Sequence, residues 1–208
     1  MYSSTPLLPA QSPQNHGRPT LILDLDNTLM SVRKGYTSPP LQAPSEFSFL
    51  GTGDNWWTAI KRPGIDDFLH EMATLYEIVV FTSGAPRYAT NAVSHLDKSG
   101  CIAHTLCNVD CDEYFDPKEG KYVRVKDLTR LRRDLSRVVA VDDDPLYYST
   151  CPLNAIGISY FTGDSSDQEL EKLTPLLRSL AQEEDIPLAL LKRRKELKEA
   201  QGHEGIKL

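Results

Sequence analysis

Two aspartates one residue apart, Asp24 and Asp26, followed by Asn27 and Thr28, close the short apolar run Leu21-Ile22-Leu23. Carboxylates at i and i+2 repel unless something neutralises them, and a divalent hard cation with oxygen ligands is the simplest candidate. Without a metal the same residues read as a strand end followed by an Asp/Asn turn. Two later runs repeat the design: Ile78-Val79-Val80-Phe81 ends in Thr82, Ser83 and Gly84, and Val138-Val139-Ala140-Val141 ends in Asp142, Asp143 and Asp144. Between them Lys126 offers a cation. A helix opening at Ala85-Pro86 has its amino end beside Thr82, where backbone donors favour an anion. A phosphate between Thr82 and Arg87 is one reading of that end, and a solvated Arg87 is the other.

These residues need a scaffold that brings them together. Apolar runs without polar alternation suit strands covered on both faces of a parallel sheet, and such sheets bind ligands beyond the carboxyl ends of their strands. Ile65, Phe68, Leu69, Met72 and Leu75 follow helical spacing, with Pro63 at the start, so a crossover helix joins the first run to the second. Ala89, Ala92, Val93 and Leu96 form the apolar face of the next helix. Residues 31–60 read as a small β insertion whose aromatics, Phe47, Phe49, Trp56 and Trp57, serve as its own core rather than as an exposed platform. Cys101 to Val125 reads as two strands about an acidic turn at Asp116–Gly120. Ser166–Glu169 has capping-box spacing ahead of Leu170, Leu173, Leu177 and Leu180, with Pro175 expected to break or bend that helix. Arg130, Arg132 and Arg133 read as a solvated face.

Composition sets bounds. A chain of 208 residues with 40% hydrophobic content has the material for one core, which we assign to residues 19–184. Residues 1–18, rich in Pro, Ser, Gln and Asn, read as a flexible arm. Residues 185–208 form a basic amphipathic tail, with Leu188, Leu190 and Leu191 against Lys192, Arg193, Arg194, Lys195 and Lys198. That tail either lies over the domain or is free to dock elsewhere. A net charge of −6 argues against nucleic acid as a partner. No apolar run approaches the ~20 residues that cross a bilayer, and no signal or transit peptide is visible at the start. Cys101, His104, Cys107 and Cys111 could be drawn as a zinc site, but their spacing is not that of a finger or ribbon and ordinary thiols are the preferred reading.

The set of motifs resembles the haloacid dehalogenase-like phosphotransferases, whose first motif, Asp-x-Asp-x-Thr, stands without a gap at Asp24, Asp26 and Thr28. Lys61-Arg62-Pro63-Gly64, Leu75 to Ser83, Val125-Lys126-Asp127-Leu128 and Val141 to Pro145 are most similar to the carboxy-terminal-domain phosphatase-like branch. The resemblance implies an α/β fold: a Rossmannoid parallel sheet with flanking helices, a small β insertion after the first motif and no large cap domain. It also implies a Mg²⁺-dependent protein phosphatase acting on phosphoserine or phosphothreonine through an aspartyl-phosphate. Asp24 is then the nucleophile and Asp26 the general acid and base. Thr28, Thr82, Ser83 and Lys126 are the phosphate-binding set, with Thr82 and Lys126 also catalytic. Asp24, the Asp26 carbonyl oxygen and Asp143 hold the metal, and Asp142 supports Lys126 or a metal-bound water. Asp143 stands where the phosphatases usually carry Asn, and it remains a good Mg²⁺ ligand.

The Tyr76–Ser83 wording and the extension from Asp185 through Arg194 are also similar to the receptor subunit of the mitochondrial inner-membrane presequence translocase. That resemblance implies the alternative of a receptor or scaffold in protein import, with presequence peptides or a mitochondrial membrane complex as partners. Its location would be at the mitochondrial inner membrane. The phosphatase alternative implies a phosphoprotein substrate and the nucleus or cytoplasm.

Overall fold

The computed structural model describes residues 6–36, 46–51, 53, 55–116 and 120–200. In chain order the strands and helices begin with β1 (Thr20–Leu23), β2 (Met30–Tyr36), β3 (Glu46–Leu50), β4 (Trp56–Lys61), α1 (Ile65–Leu75), β5 (Glu77–Phe81) and α2 (Pro86–Leu96). They continue with β6 (Ile102–Leu106), β7 (Asp112–Asp116), β8 (Lys121–Val125), β9 (Val138–Asp142), β10 (Ala155–Gly157), α3 (Glu169–Leu180) and α4 (Ile186–Ala200). The acidic turn expected between β7 and β8 falls largely outside the described residues.

The apolar runs pair as a parallel sheet in the order β10-β9-β1-β5-β6. Every residue of β1, β5 and β9 is buried, as strands covered on both faces require. Alternation then divides their side chains. Leu21, Leu23, Ile78, Val80, Val139 and Val141 meet the buried faces of all four helices. Ile22, Val79, Phe81, Val138 and Ala140 meet the other layer, built from Leu8, Leu106, Cys151 and short 3-10 turns at Leu128–Leu131 and Pro145–Tyr148. Register fixes the business edge, because Leu23 lies opposite both Val80 and Val141. Asp24, Thr82 and Asp142 therefore leave the sheet at nearly one level, beside the point where the chain turns from one side of β1 to the other.

The insertion is an antiparallel sheet in the order β2-β4-β3. Phe47 and Phe49 are buried, Phe47 stacks on His95 with centroids 5.4 Å apart, and Phe49 and Trp57 each meet Tyr88 edge-on. The aromatics form a small core shared with α2.

Two expectations change, and two alternatives left open by the sequence are narrowed. Residues 6–18, read as a loose arm, lie against the domain: Leu8 is buried, the Leu7 N–H donates to the Arg130 carbonyl, and Arg133 donates to the Pro9 carbonyl. The reason is a cluster at the amino edge of the sheet, where the buried Glu77 carboxylate takes both arms of the Arg133 guanidinium, the Thr20 hydroxyl and the Gln11 amide. A carboxylate taken from water needs such partners. Arg130 and Arg133 are consequently not a solvated face, since Arg130 pairs with Asp112 and Arg133 with Glu77. Helix α3 runs through Pro175 without ending there. The tail begins as part of the body: Ile186, Ala189 and Leu190 are buried in the core, and Arg194 donates to the Ala155 carbonyl at the edge strand.

Leu190 is 3% exposed and Leu188 is 45% exposed. Leu190→Ala is expected to destabilise the fold by about 2–4 kcal/mol in urea unfolding, against under about 0.5 kcal/mol for Leu188→Ala. Equal effects would return α4 to the status of a detached tail.

Candidate active site

The loop after β1 is tightly wound. Leu25, Leu29 and Met30 are fully buried anchors, and the Leu29 and Met30 N–H groups both return to the Leu25 carbonyl. Between them Asn27 takes a left-handed φ of 61°, which Asn tolerates better than most side chains. The loop is held from behind by Arg62, whose side chain is wholly buried. Its guanidinium donates to the Thr28 carbonyl at 3.0 Å, to the Ser159 carbonyl, and to both carboxylate oxygens of Asp167 at 2.8 Å. In the sequence Arg62 stood out only within Lys61-Arg62-Pro63-Gly64, with no role of its own assigned. Its fork geometry, which suits bidentate pairing, was the available signal.

In front of the loop the charges meet. The Lys126 ammonium donates to Asp24 Oδ1 and to Asp142 Oδ2, each at 2.6 Å, with the lysine fully buried and its backbone N–H bonded to the Tyr147 carbonyl. Among the described residues Asp24 Oδ2 accepts no hydrogen bond, which leaves one oxygen of that carboxylate uncommitted. One ammonium cannot neutralise two carboxylates and a third nearby. Burial alone would depress Lys126, yet Tyr148, Asp24 and Asp142 around it hold its proton well above the ordinary lysine range. The surplus negative charge appears on the acids: burial and Asp24 push both Asp142 and Asp143 upward. Burial likewise raises Asp26 to about 6, opposed by the hydroxyl of Tyr88 and assisted by Asp24.

Carboxylate oxygens of Asp24, Asp142 and Asp143 lie within 4.8 Å of one another, and they are the one such metal-competent group among the described residues. Hard oxygens clustered this closely fit a cation such as Mg²⁺. Asp142, expected to steady Lys126 or a metal-bound water, thus stands inside the group. The Asp26 carboxyl stands outside it, and its expected contribution is the backbone carbonyl. Thr28, expected to bind phosphate, is fully buried; its hydroxyl donates to Asp143 Oδ1 at 3.1 Å and accepts from the Asp143 N–H at 3.0 Å. That use makes it a brace for Asp143. The Thr82 hydroxyl lies 3.5 Å from Asp26 Oδ2 and accepts the Gly84 N–H. Ser83 offers its carbonyl to Arg124. Tyr88, absent from the sequence reading, donates its phenol to Asp26 Oδ1. Cys101, His104, Cys107 and Cys111 converge on no common point; His104 faces Glu77, and Cys107 faces Asp110. A cleft of about 570 Å³ lined by Phe47, Ile60, Arg62, Ile65 and Phe161 contains none of the converging acids, so the chemistry belongs elsewhere.

Acids, an ammonium and hydroxyls gathered at the carboxyl edge of a five-stranded parallel sheet define a haloacid dehalogenase-like α/β protein. The chain belongs to the NLI interacting factor-like phosphatase family, whose sequence model matches residues 19–187. It is 39% identical over 186 residues to a probable C-terminal domain small phosphatase of Dictyostelium discoideum, covering 89% of this chain and 58% of that protein. It is 37% identical over 180 residues to the mitochondrial import inner membrane translocase subunit TIM50 of Phytophthora infestans, covering 86% of this chain and 37% of that protein. The chain thus spans less than two thirds of the length of either relative. The structure of Fcp1, an essential RNA polymerase II CTD phosphatase, superposes with a TM-score of 0.63 at 18% identity, covering 91% of this chain and 68% of that one. That likeness establishes the shared fold.

The upward shift of Asp26 carries a sign. Its carboxyl binds a proton more tightly folded than unfolded, so ionising it destabilises the fold progressively as pH rises from near 4 to near 6. In chelator, Asp26→Asn should therefore gain stability over the parent protein as pH rises through that window and hold the gain above it. Calorimetry at pH 4.5 and 7.5 measures this, and a pH-independent difference would refute it.

Proposed function

We propose that the protein is a Mg²⁺-dependent phosphatase of phosphoserine and phosphothreonine in proteins, working through an aspartyl-phosphate on Asp24. The observation that carries this reading is the buried Lys126, which grips one oxygen of Asp24 and so aims the other outward while Asp26 stands alongside. The uncommitted Asp24 oxygen attacks phosphorus in line, the bond from phosphorus to the serine or threonine oxygen breaks, and Asp26 supplies that oxygen with a proton. Asp26, now ionised, takes a proton from water. The water oxygen attacks phosphorus, the bond to Asp24 breaks with its electrons returning to the carboxylate, and phosphate leaves. Lys126 and Thr82 bind the transferring oxygens, with the Ser83 hydroxyl as a further candidate. Thr28 holds Asp143 in place. Asp24, Asp143 and the Asp26 carbonyl would hold Mg²⁺, with Asp142 adjacent; bound there, the ion offsets the charge of an anionic phosphate meeting an anionic nucleophile.

A protein substrate is favoured by the access to the site. Among the described residues, the only structure inserted between β1 and α1 is the β2-β4-β3 sheet, whose aromatics are spent on α2. Small-metabolite sites generally enclose most of their ligand, and nothing among the described residues has the size of an enclosing cap. A second reading, a subunit of a mitochondrial import complex, is favoured by the Phytophthora relative and would place the protein at the inner membrane.

Asp24→Asn should abolish Mg²⁺-dependent hydrolysis of aryl phosphates, a fall on the order of 10³ or more, because the bond-forming group is gone. Asp143→Ala should retain the fold and shift the Mg²⁺ titration to higher concentration. Undiminished turnover by folded Asp24→Asn would end the nucleophile assignment. If cells tolerate Asp24→Asn while deletion of the gene stalls mitochondrial import, the second reading replaces the first.

A further inference from the structure

Tyr88 lies on the first turns of α2, is 6% exposed, and is engaged from three sides. Phe49 and Trp57 meet its ring edge-on at centroid distances of 5.1 and 5.0 Å. On another side is Gly84, where a β-carbon would fall 2.8 Å from Tyr88 Cδ1, so the ring occupies space that any other residue at 84 would fill. The ring is thus locked, and its hydroxyl ends on Asp26 Oδ1. A carboxyl with one oxygen engaged by a phenol donor presents the other. That other oxygen, Oδ2, is the one beside the Thr82 hydroxyl.

We propose that Tyr88 is a positioning residue for proton transfer: its phenol hydrogen bond to Oδ1 fixes the rotation of the Asp26 carboxyl so that Oδ2 faces the leaving group. This rests on the phosphatase reading and deepens it. In the first step the proton leaves Oδ2 for the departing oxygen as the bond from that oxygen to phosphorus breaks. In the second, Oδ2 recovers a proton from the attacking water. Tyr88 gives up nothing in either step and only holds the acid. The role also gives the insertion sheet a purpose in catalysis, because Phe49 of β3 and Trp57 of β4 are the walls that hold the ring.

The experiment measures turnover across a series of aryl phosphates from good to poor leaving groups, with a phosphoserine peptide at the poor end. Parent, Tyr88→Phe, Asp26→Asn and Asp24→Asn proteins are compared, with thermal midpoints recorded for each. Tyr88→Phe keeps the ring and its packing but loses the hydrogen bond. It is expected to slow poor leaving groups at least about tenfold more than good ones, in the direction of Asp26→Asn, because only poor leaving groups need the proton. A purely structural tyrosine would slow all substrates equally, and equal slowing overturns the proposal. Should Tyr88→Phe fold badly, Gly84→Ala displaces the same ring through its new β-carbon and is expected to steepen the same dependence; an unchanged slope there also overturns it. No turnover by the parent protein takes down the phosphatase reading and this role together. Turnover by the parent, lost in Asp24→Asn, with a parental slope in Tyr88→Phe takes down this role alone.

Discussion

The structure depends on Lys126 standing between Asp24 and Asp142. A parallel sheet brings the ends of its central strands to one edge, and in this chain those ends are acidic. Left alone, the converging carboxylates would repel in a place where little water reaches to screen them. One buried ammonium, bonded to both at 2.6 Å, makes the edge tenable. It does not balance the charge completely: burial first, and the neighbouring Asp24 charge after it, push Asp26, Asp142 and Asp143 upward. A site with surplus negative charge and hard oxygens beside one fixed cation suits a metal ion.

Much of the rest serves to deliver that lysine and brace those acids. Lys126 comes from the end of the β7-β8 hairpin, outside the main sheet, and is tied by its backbone to the 3-10 turn that follows β9. Arg62 holds the back of the first loop to Ser159 and Asp167, so that segments far apart in sequence share one buried guanidinium. Such a buried network is costly to break, since removing one partner strands the others out of water. At the opposite edge of the sheet Glu77 and Arg133 do the same for the amino-terminal segment. Polar clusters thus clamp both ends of the strands, with the apolar layers between them.

The motifs and the sheet were legible in sequence because they depend on short-range pattern. Uninterrupted β-branched runs announce buried parallel strands, and acids placed just past such runs can only lie at the carboxyl edge. Asp24, Asp26, Thr82, Asp142 and Asp143 were nominated on that basis and Lys126 as a cation lying between two such runs, and tertiary structure brings them together. The crossover helices followed from apolar spacing; their buried faces match it except that Tyr88 joins the second, while Leu75 and Val93 are only half-buried.

What only the tertiary structure decided involves partners distant in the chain. Composition made residues 6–18 look loose, because a polar, proline-rich segment cannot collapse by itself; it is held by Arg130, Arg133 and Glu77, more than fifty residues away. Whether the carboxy-terminal helix lies over the domain was left open by sequence, because its charges are local and the surface that buries Ile186 and Leu190 belongs to the core. Thr28 looked like a phosphate ligand until Asp143, 115 residues on, took both functions of its hydroxyl. Tyr88 had no signal in the sequence, since a tyrosine on the buried side of a helix reads as packing. Its hydroxyl acquires meaning only when Gly84, Phe49 and Trp57 leave it a single direction, toward Asp26. Residue type and spacing therefore determined which groups meet at the edge, and three-dimensional packing decided which atom of each group faces the reaction.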